Sequence, residues 1–233
     1  KLCRMIGVSS REPVEVLPYF EAVRDMAQNG KRAPHGDGWG VAYLDGDEIK
    51  LIRHTEPIWD SDPEELEGIY SELFIIHARK ASIGAVEMEN IHPFRENGYA
   101  FAHNGTEKAR LRLLSGVRAR GDTDSERIFL QLLKRREGSN FAVAYRALLD
   151  KGLRNLTSLL MDAETETLHA FRCTERLPGY YTLYYGVSQG LAVVSSEPIG
   201  FCTVSVEMGE MVTFSRGELV EKNLIGSECL LSR

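Results

Sequence analysis

Residues 157–195, TSLLMDAETETLHAFRCTERLPGYYTLYYGVSQGLAVVS, decide the fold class. Within them the runs 157–161, 167–173, 181–187 and 191–195 are short, rich in aliphatic and aromatic residues, and separated by turn-forming polar residues and glycines, which is the pattern of β-strands. A further run of this kind lies at 211–214. Working back from there, two or three helices are expected over roughly 106–152. Buried strands are expected at 73–77 and 99–103, each running directly into polar residues. Asp62-Pro63-Glu64-Glu65 opens a short helix with proline and acids in its first turn. The runs 41–44 and 49–53 are joined across Asp45-Gly46 as a hairpin. Over 14–29, Val16, Leu17, Phe20, Val23 and Met26 recur at helical spacing, and 3–9 is a short apolar strand. Strands, then helices, then strands again predict an α+β domain with antiparallel sheets rather than a parallel βαβ fold. No internal repeat or low-complexity linker divides the chain, so residues 1–233 are expected to form a single domain.

With 233 residues and 43% of them hydrophobic, the chain carries enough apolar side chains for a full core. Lys+Arg 28 against Asp+Glu 34 leaves a net charge of -6, which disfavours nucleic acid as a partner. No uncharged apolar stretch reaches the roughly 18 residues of a membrane span, and the expected location is the cytoplasm. The basic run Lys108, Arg110, Arg112, Arg118 and Arg120 reads as a solvated helix face or, less simply, as a docking patch for an acidic partner. Cys3, Cys173, Cys202 and Cys229 form no CxxC pair, and the last three read as buried core thiols. The histidines show no HExxH or comparable metal-ligand spacing.

Chemistry is written where apolar strands end. FIIHARKAS (74–82) delivers His77, Arg79 and Ser82, and YAFAHNGT (99–106) delivers His103, Asn104 and Gly105. Alone, Asn-Gly is a turn and an arginine after a strand is a surface charge. Together with Cys3 and the acidic cluster GDTDSE (121–126) they point to a site.

These pieces, CRMIGVSS (3–10), HGDGWGVAY (35–43), HARKAS (77–82), NIHPF (90–94), HNGT (103–106), DTDSE (122–126) and SSEP (195–198), occur in an order that resembles the class II glutamine amidotransferases of the N-terminal-nucleophile (Ntn) hydrolases. The likeness is to the compact members without an attached synthase. The resemblance implies a four-layer αββα sandwich with two antiparallel sheets. It implies a thiol amidohydrolase acting on glutamine or a γ-glutamyl amide through a γ-glutamyl thioester, with no cofactor or metal. Cys3 would be the nucleophile and its own α-amine the base; a free α-amine, with a pKa of roughly 7.7 to 8.0, can take a proton that a peptide nitrogen cannot. Asn104 and Gly105 would stabilise the oxyanion. Arg79, with Ser82, would hold the substrate carboxylate, and Asp124 its ammonium; Asp122 is the alternative ammonium partner and is expected to cap the following helix. His92 is expected to be a structural hydrogen-bonding residue, and HGDGWG a loop near the pocket.

Lys1 and Leu2 precede Cys3 and, while attached, make its nitrogen an amide. The resemblance therefore implies that the active form begins at Cys3, or else that this member is a non-catalytic glutamine-binding module or partner subunit. About 20 residues follow Phe214, so the ammonia is expected to be released or passed to a separate acceptor or synthase subunit.

Overall fold

The structure is a computed structural model that describes residues 3–29, 34–107, 111, 115–136, 138 and 140–230. In chain order its elements are β1 (Arg4–Glu15), α1 (Leu17–Gln28), β2 (Trp39–Asp45), β3 (Glu48–His54), β4 (Tyr70–Ala78), β5 (Phe94–Glu96), β6 (Tyr99–His103), α2 (Asp124–Arg135) and α3 (Phe141–Leu149). There follow β7 (Ser158–Asp162), β8 (Thr167–Phe171), β9 (Tyr184–Ser188), β10 (Leu191–Ser195), β11 (Val204–Ser205), β12 (Glu210–Ser215) and β13 (Glu218–Leu224). One sheet runs β11-β9-β10-β1-β4-β2-β3 and the other β13-β12-β8-β7-β6-β5. The pairings are antiparallel in both.

The alternation of strand side chains builds four layers. Met5, Leu73 and Ile75 of the first sheet pack between the sheets against Ala100, Leu159, Leu168 and Phe214 of the second. Their neighbours Ile6, Phe74 and Ile76 face the other way, onto Phe20 and Val23 of α1. The second sheet turns Phe101, Leu160 and Phe171 outward onto Ile128 and Phe129 of α2 and Phe141 and Leu148 of α3. Gly7 lets the sheets approach here, because a Cβ at that position would lie 2.9 Å from Cδ2 of Leu168. The architecture is therefore the αββα sandwich.

Local departures from the sequence pattern have physical causes. The first helix begins at Leu17 rather than near residue 14, because Val14 and Glu15 pair with Ser71 and Tyr70 of β4 and Pro18 occupies the first turn. β13 escapes the hydrophobic pattern because it is an edge strand with Glu218, Glu221 and Lys222 exposed. The N-cap of α2 is Thr123, whose hydroxyl accepts from the Glu126 nitrogen at 3.2 Å, and not Asp122. The Glu126 carboxylate in turn accepts from the nitrogens of Arg120 and Gly121, at 2.9 and 2.8 Å, tying the preceding turn to the helix start. Arg118 and Arg120 precede this helix in irregular backbone, so they form no helix face; Lys108, Arg110 and Arg112 lie outside the described residues. Cys173 and Cys229 are joined in a disulfide rather than standing as separate core thiols, whereas Cys202 is a buried free thiol.

Candidate active site

Cys3 sits at the start of β1, the middle strand of its sheet. The register that pairs Arg4 with Ala78 sets Arg79 and Lys80, just past the end of β4, beside it. Asn104 and Gly105 follow β6 in the facing sheet, with the Asn104 backbone nitrogen held by the Thr157 carbonyl at 2.8 Å. Three strand ends thus converge from two sheets. Cys3, Arg79, Ser82, Gly105 and Asp124 line one narrow cleft. Asn104 joins them through its Oδ1, which accepts from the Cys3 nitrogen at 2.9 Å.

Asn104 is buried, and its Nδ2 has no hydrogen-bond partner. Leaving a buried amide donor unsatisfied costs about 1–3 kcal/mol, so an orphan beside a thiol is a place where a ligand oxygen gains most. The backbone behind it is fixed by His103, whose Nε2 donates to the Asn155 carbonyl at 2.7 Å while Nδ1 meets the Ser125 hydroxyl at 2.8 Å. Gly105 fits against this ring; a Cβ there would lie 2.7 Å from His103 Nε2.

The Cys3 sulfur receives the Lys80 backbone N–H at 3.5 Å. Burial pushes the thiol up to about 11, against the lowering influence of that N–H and of the Arg79 and Arg4 guanidiniums. A thiol so placed is protonated at neutral pH and needs a base to become a nucleophile.

Arg79 is 2% exposed, and its guanidinium donates to the carbonyls of Ala85 at 3.1 Å, Ile83 at 3.0 Å and Gly84 at 3.3 Å, so its own following loop wraps around it. Ser82 meets the Thr106 hydroxyl at 2.7 Å, tying this loop to the Asn104-Gly105 turn. Asp124 accepts from the Glu107 nitrogen at 2.6 Å. Asp122 is engaged elsewhere: it accepts from Asn90 Nδ2 at 2.7 Å and its nitrogen donates to Asn90 Oδ1 at 3.1 Å. Of the two acids, Asp124 is the one that lines the cleft.

His92 also lines the cleft, but both its ring nitrogens lack partners; it stacks on His77, whose nitrogens are likewise unpartnered, with centroids 4.4 Å apart. The expected structural hydrogen bonds of His92 are therefore replaced by ring packing, and burial holds both imidazoles well below their usual range, His77 at about 3. Several supporting residues carried no assigned role in the sequence. Asp37 of HGDGWG accepts from the Ala81 nitrogen at 2.8 Å and so braces the Arg79 segment. Arg4, beside the thiol, is paired with Glu197 of SSEP. The motifs themselves were the available signal for both.

Two facing antiparallel sheets between helical layers, with a cysteine leading the central strand, define the Ntn hydrolase fold. Solved structures share it: the glutamine phosphoribosylpyrophosphate amidotransferase of B. subtilis superposes with a TM-score of 0.73 at 20% identity, over 97% of this chain and 50% of that one. A glutamine aminotransferase class-II domain protein from Silicibacter pomeroyi gives 0.64 at 22% identity, over 95% of this chain and 98% of that one. The family described as "Glutamine amidotransferases class-II" matches residues 2–168, and the chain belongs to that family. Its sequence is 31% identical over 140 residues to the protein named "Putative glutamine amidotransferase YafJ" of Escherichia coli (strain K12), covering 57% of this chain and 54% of that one. The chain spans about half the length of the curated relatives it matches. No helix among the described residues is long and apolar enough to cross a membrane.

Proposed function

We propose that this domain is a thiol amidohydrolase or amidotransferase that cleaves the side-chain amide of glutamine, or of a γ-glutamyl compound, through a γ-glutamyl thioester on Cys3. One observation carries the reading: the nitrogen of Cys3 is bonded to a buried asparagine whose amide donor is unpaired, and both adjoin a cleft lined by one buried arginine and one buried aspartate.

The chemistry follows from those positions. With Cys3 as first residue, its amine removes the thiol proton and the sulfur attacks the side-chain amide carbon. The tetrahedral oxyanion takes hydrogen bonds from Asn104 Nδ2 and the Gly105 N–H. The amine returns the proton to the departing nitrogen, the C–N bond breaks, and ammonia or an amine leaves. Water, activated by the same amine, then hydrolyses the thioester to the γ-carboxylic acid and restores the thiol. Arg79, assisted by Ser82, and Asp124 bind the carboxylate and ammonium of a free amino-acid head group, the Arg79 donors exchanging loop carbonyls for the substrate.

The test is ammonia or amine release from glutamine and a panel of small γ-glutamyl amides, using protein whose first residue is verified as Cys3. Turnover that disappears in Cys3→Ala, with a γ-glutamyl electrophile adding mass at Cys3, is the expected result. Binding of glutamine that depends on Arg79 and Asp124, without turnover of any of these compounds, would replace the enzyme with a binding module.

A further inference from the structure

We propose that Arg4 is a positioning residue for Cys3: its buried guanidinium, braced by Glu197 and Tyr180, grips the Cys3 carbonyl and thereby holds the peptide plane from which the amine and thiol of that residue project. The inference rests on the reading of Cys3 as an amino-terminal nucleophile.

An amino-terminal residue has a single covalent tether to the fold, through its carbonyl carbon. Turning of the peptide plane that joins it to Arg4, about the Arg4 N–Cα bond, carries its carbonyl, amine and side chain together, and a misplacement of about 1 Å is enough to cost on the order of 100-fold in rate. Such a residue needs a second hold. Arg4 supplies one: Nη1 donates to the Cys3 carbonyl at 3.2 Å. Nη2 donates to the Tyr180 hydroxyl at 2.7 Å and pairs with Glu197 Oε1 at 2.5 Å. The guanidinium also lies against the Tyr180 ring, 4.8 Å from its centroid.

Burying this cation is not an economical way to stabilise a fold. Arg4 is 1% exposed and its Nε has no partner, whereas an apolar side chain in a buried position is often as stabilising as an ion pair. What an apolar residue lacks is a rigid planar fork that reaches a carbonyl, a phenol and a carboxylate at once. The carboxylate comes from SSEP, and the same motif holds the next residue in both directions: the Met5 nitrogen donates to Ser196 Oγ at 3.2 Å and the Ser196 nitrogen to the Met5 carbonyl at 3.0 Å. SSEP thus closes on the first two residues of β1. Glu197 also offsets part of the charge of Arg4.

The experiment compares wild type, Arg4→Lys, Arg4→Gln and Tyr180→Phe, each verified to begin at Cys3. Steady-state glutamine turnover is measured together with the NMR signals of 13Cβ-labelled cysteine, the other three cysteines serving as internal controls. In Arg4→Gln, kcat is expected to fall about 10- to 100-fold with KM changed less than about twofold. The Cys3 signal alone should broaden or split, and Arg4→Lys should recover part of both effects. A rise in KM at constant kcat, equal losses in the Lys and Gln variants, or an unaltered Cys3 signal would each overturn the proposal. If Arg4→Gln does not fold, Tyr180→Phe removes one brace and keeps the ring; an unchanged kcat and Cys3 signal there would count against the proposal in the same way. If wild type itself turns over no amide, the functional reading fails, while the cysteine signals still decide whether Arg4 orders Cys3.

Discussion

The backbone nitrogen of Cys3 donates to Oδ1 of Asn104 at 2.9 Å, and this bond leaves the other end of the same carboxamide buried and unpaired. The asparagine is oriented by the residue it is proposed to assist: because Oδ1 is engaged by Cys3, Nδ2 is the atom left free for a developing oxyanion.

Asn104→Asp keeps the acceptor and the shape but removes the donor. The expected loss is about 100- to 1000-fold in kcat with little change in KM, since the lost hydrogen bond belongs to the tetrahedral intermediate. Stopped-assay ammonia release with a glutamine titration checks it, and a change confined to KM would contradict the assignment.

Arg79→Lys and Asp124→Asn should act on binding. Lysine cannot reproduce a bidentate grip, so KM for glutamine is expected to rise at least about 10-fold in each variant, with a smaller fall in kcat. Substrates lacking the free head group should show no such dependence, which a comparison of glutamine with a simple carboxamide would reveal.

The thiol gives a pH signature. With Cys3 pushed up to about 11, the thiolate fraction at pH 8 is about one thousandth. In protein that keeps Lys1, iodoacetamide labelling of Cys3 should keep climbing from pH 9 towards 11; in protein beginning at Cys3, labelling should level off near the titration of the amine, at roughly pH 8. Because burial makes the folded thiol hold its proton more tightly than an ordinary cysteine, whose value is 9.0, its contribution to stability is complete below pH 9 and declines as the pH rises from there towards 11. Labelling that levels off at pH 9 while Lys1 is present would count against this environment.

The Cys173–Cys229 disulfide closes a separation of 56 residues and ties the segment after β8 to a 3-10 helix, Ser227–Leu230. Reduction, or Cys173→Ser, should lower unfolding free energy by about 2–4 kcal/mol in urea titrations. The serine variant should then be insensitive to reductant; continued sensitivity would mean that another thiol is responsible.

Much of this was legible in the chain. The short apolar runs over 157–195 mark strands of the second half, and Arg79 and Ser82 after β4 line one cleft with Gly105 after β6. What escaped has a common origin in non-local pairing. The first-helix boundary moved because strand pairing with β4 took Val14 and Glu15. Thr123 took the cap because the neighbouring Asp122 was held by Asn90, 32 positions away. The disulfide could not be read from spacing, and Arg4 carries no role in the sequence alone because its partner Glu197 lies far along the chain. Motifs such as SSEP and HGDGWG announced that they mattered without saying that their part was to brace other segments.

β1 is hydrogen-bonded along both flanks, to β10 and to β4, and covered on both faces. Its amides from Ile6 to Val8 should therefore exchange with solvent only when the whole domain opens, which makes the proposed nucleophile the extension of the slowest-breathing part of the fold. Adaptation to different substrates would then fall to the segments around it, and a scaffold of this kind can change what it accepts without loosening what it attacks with.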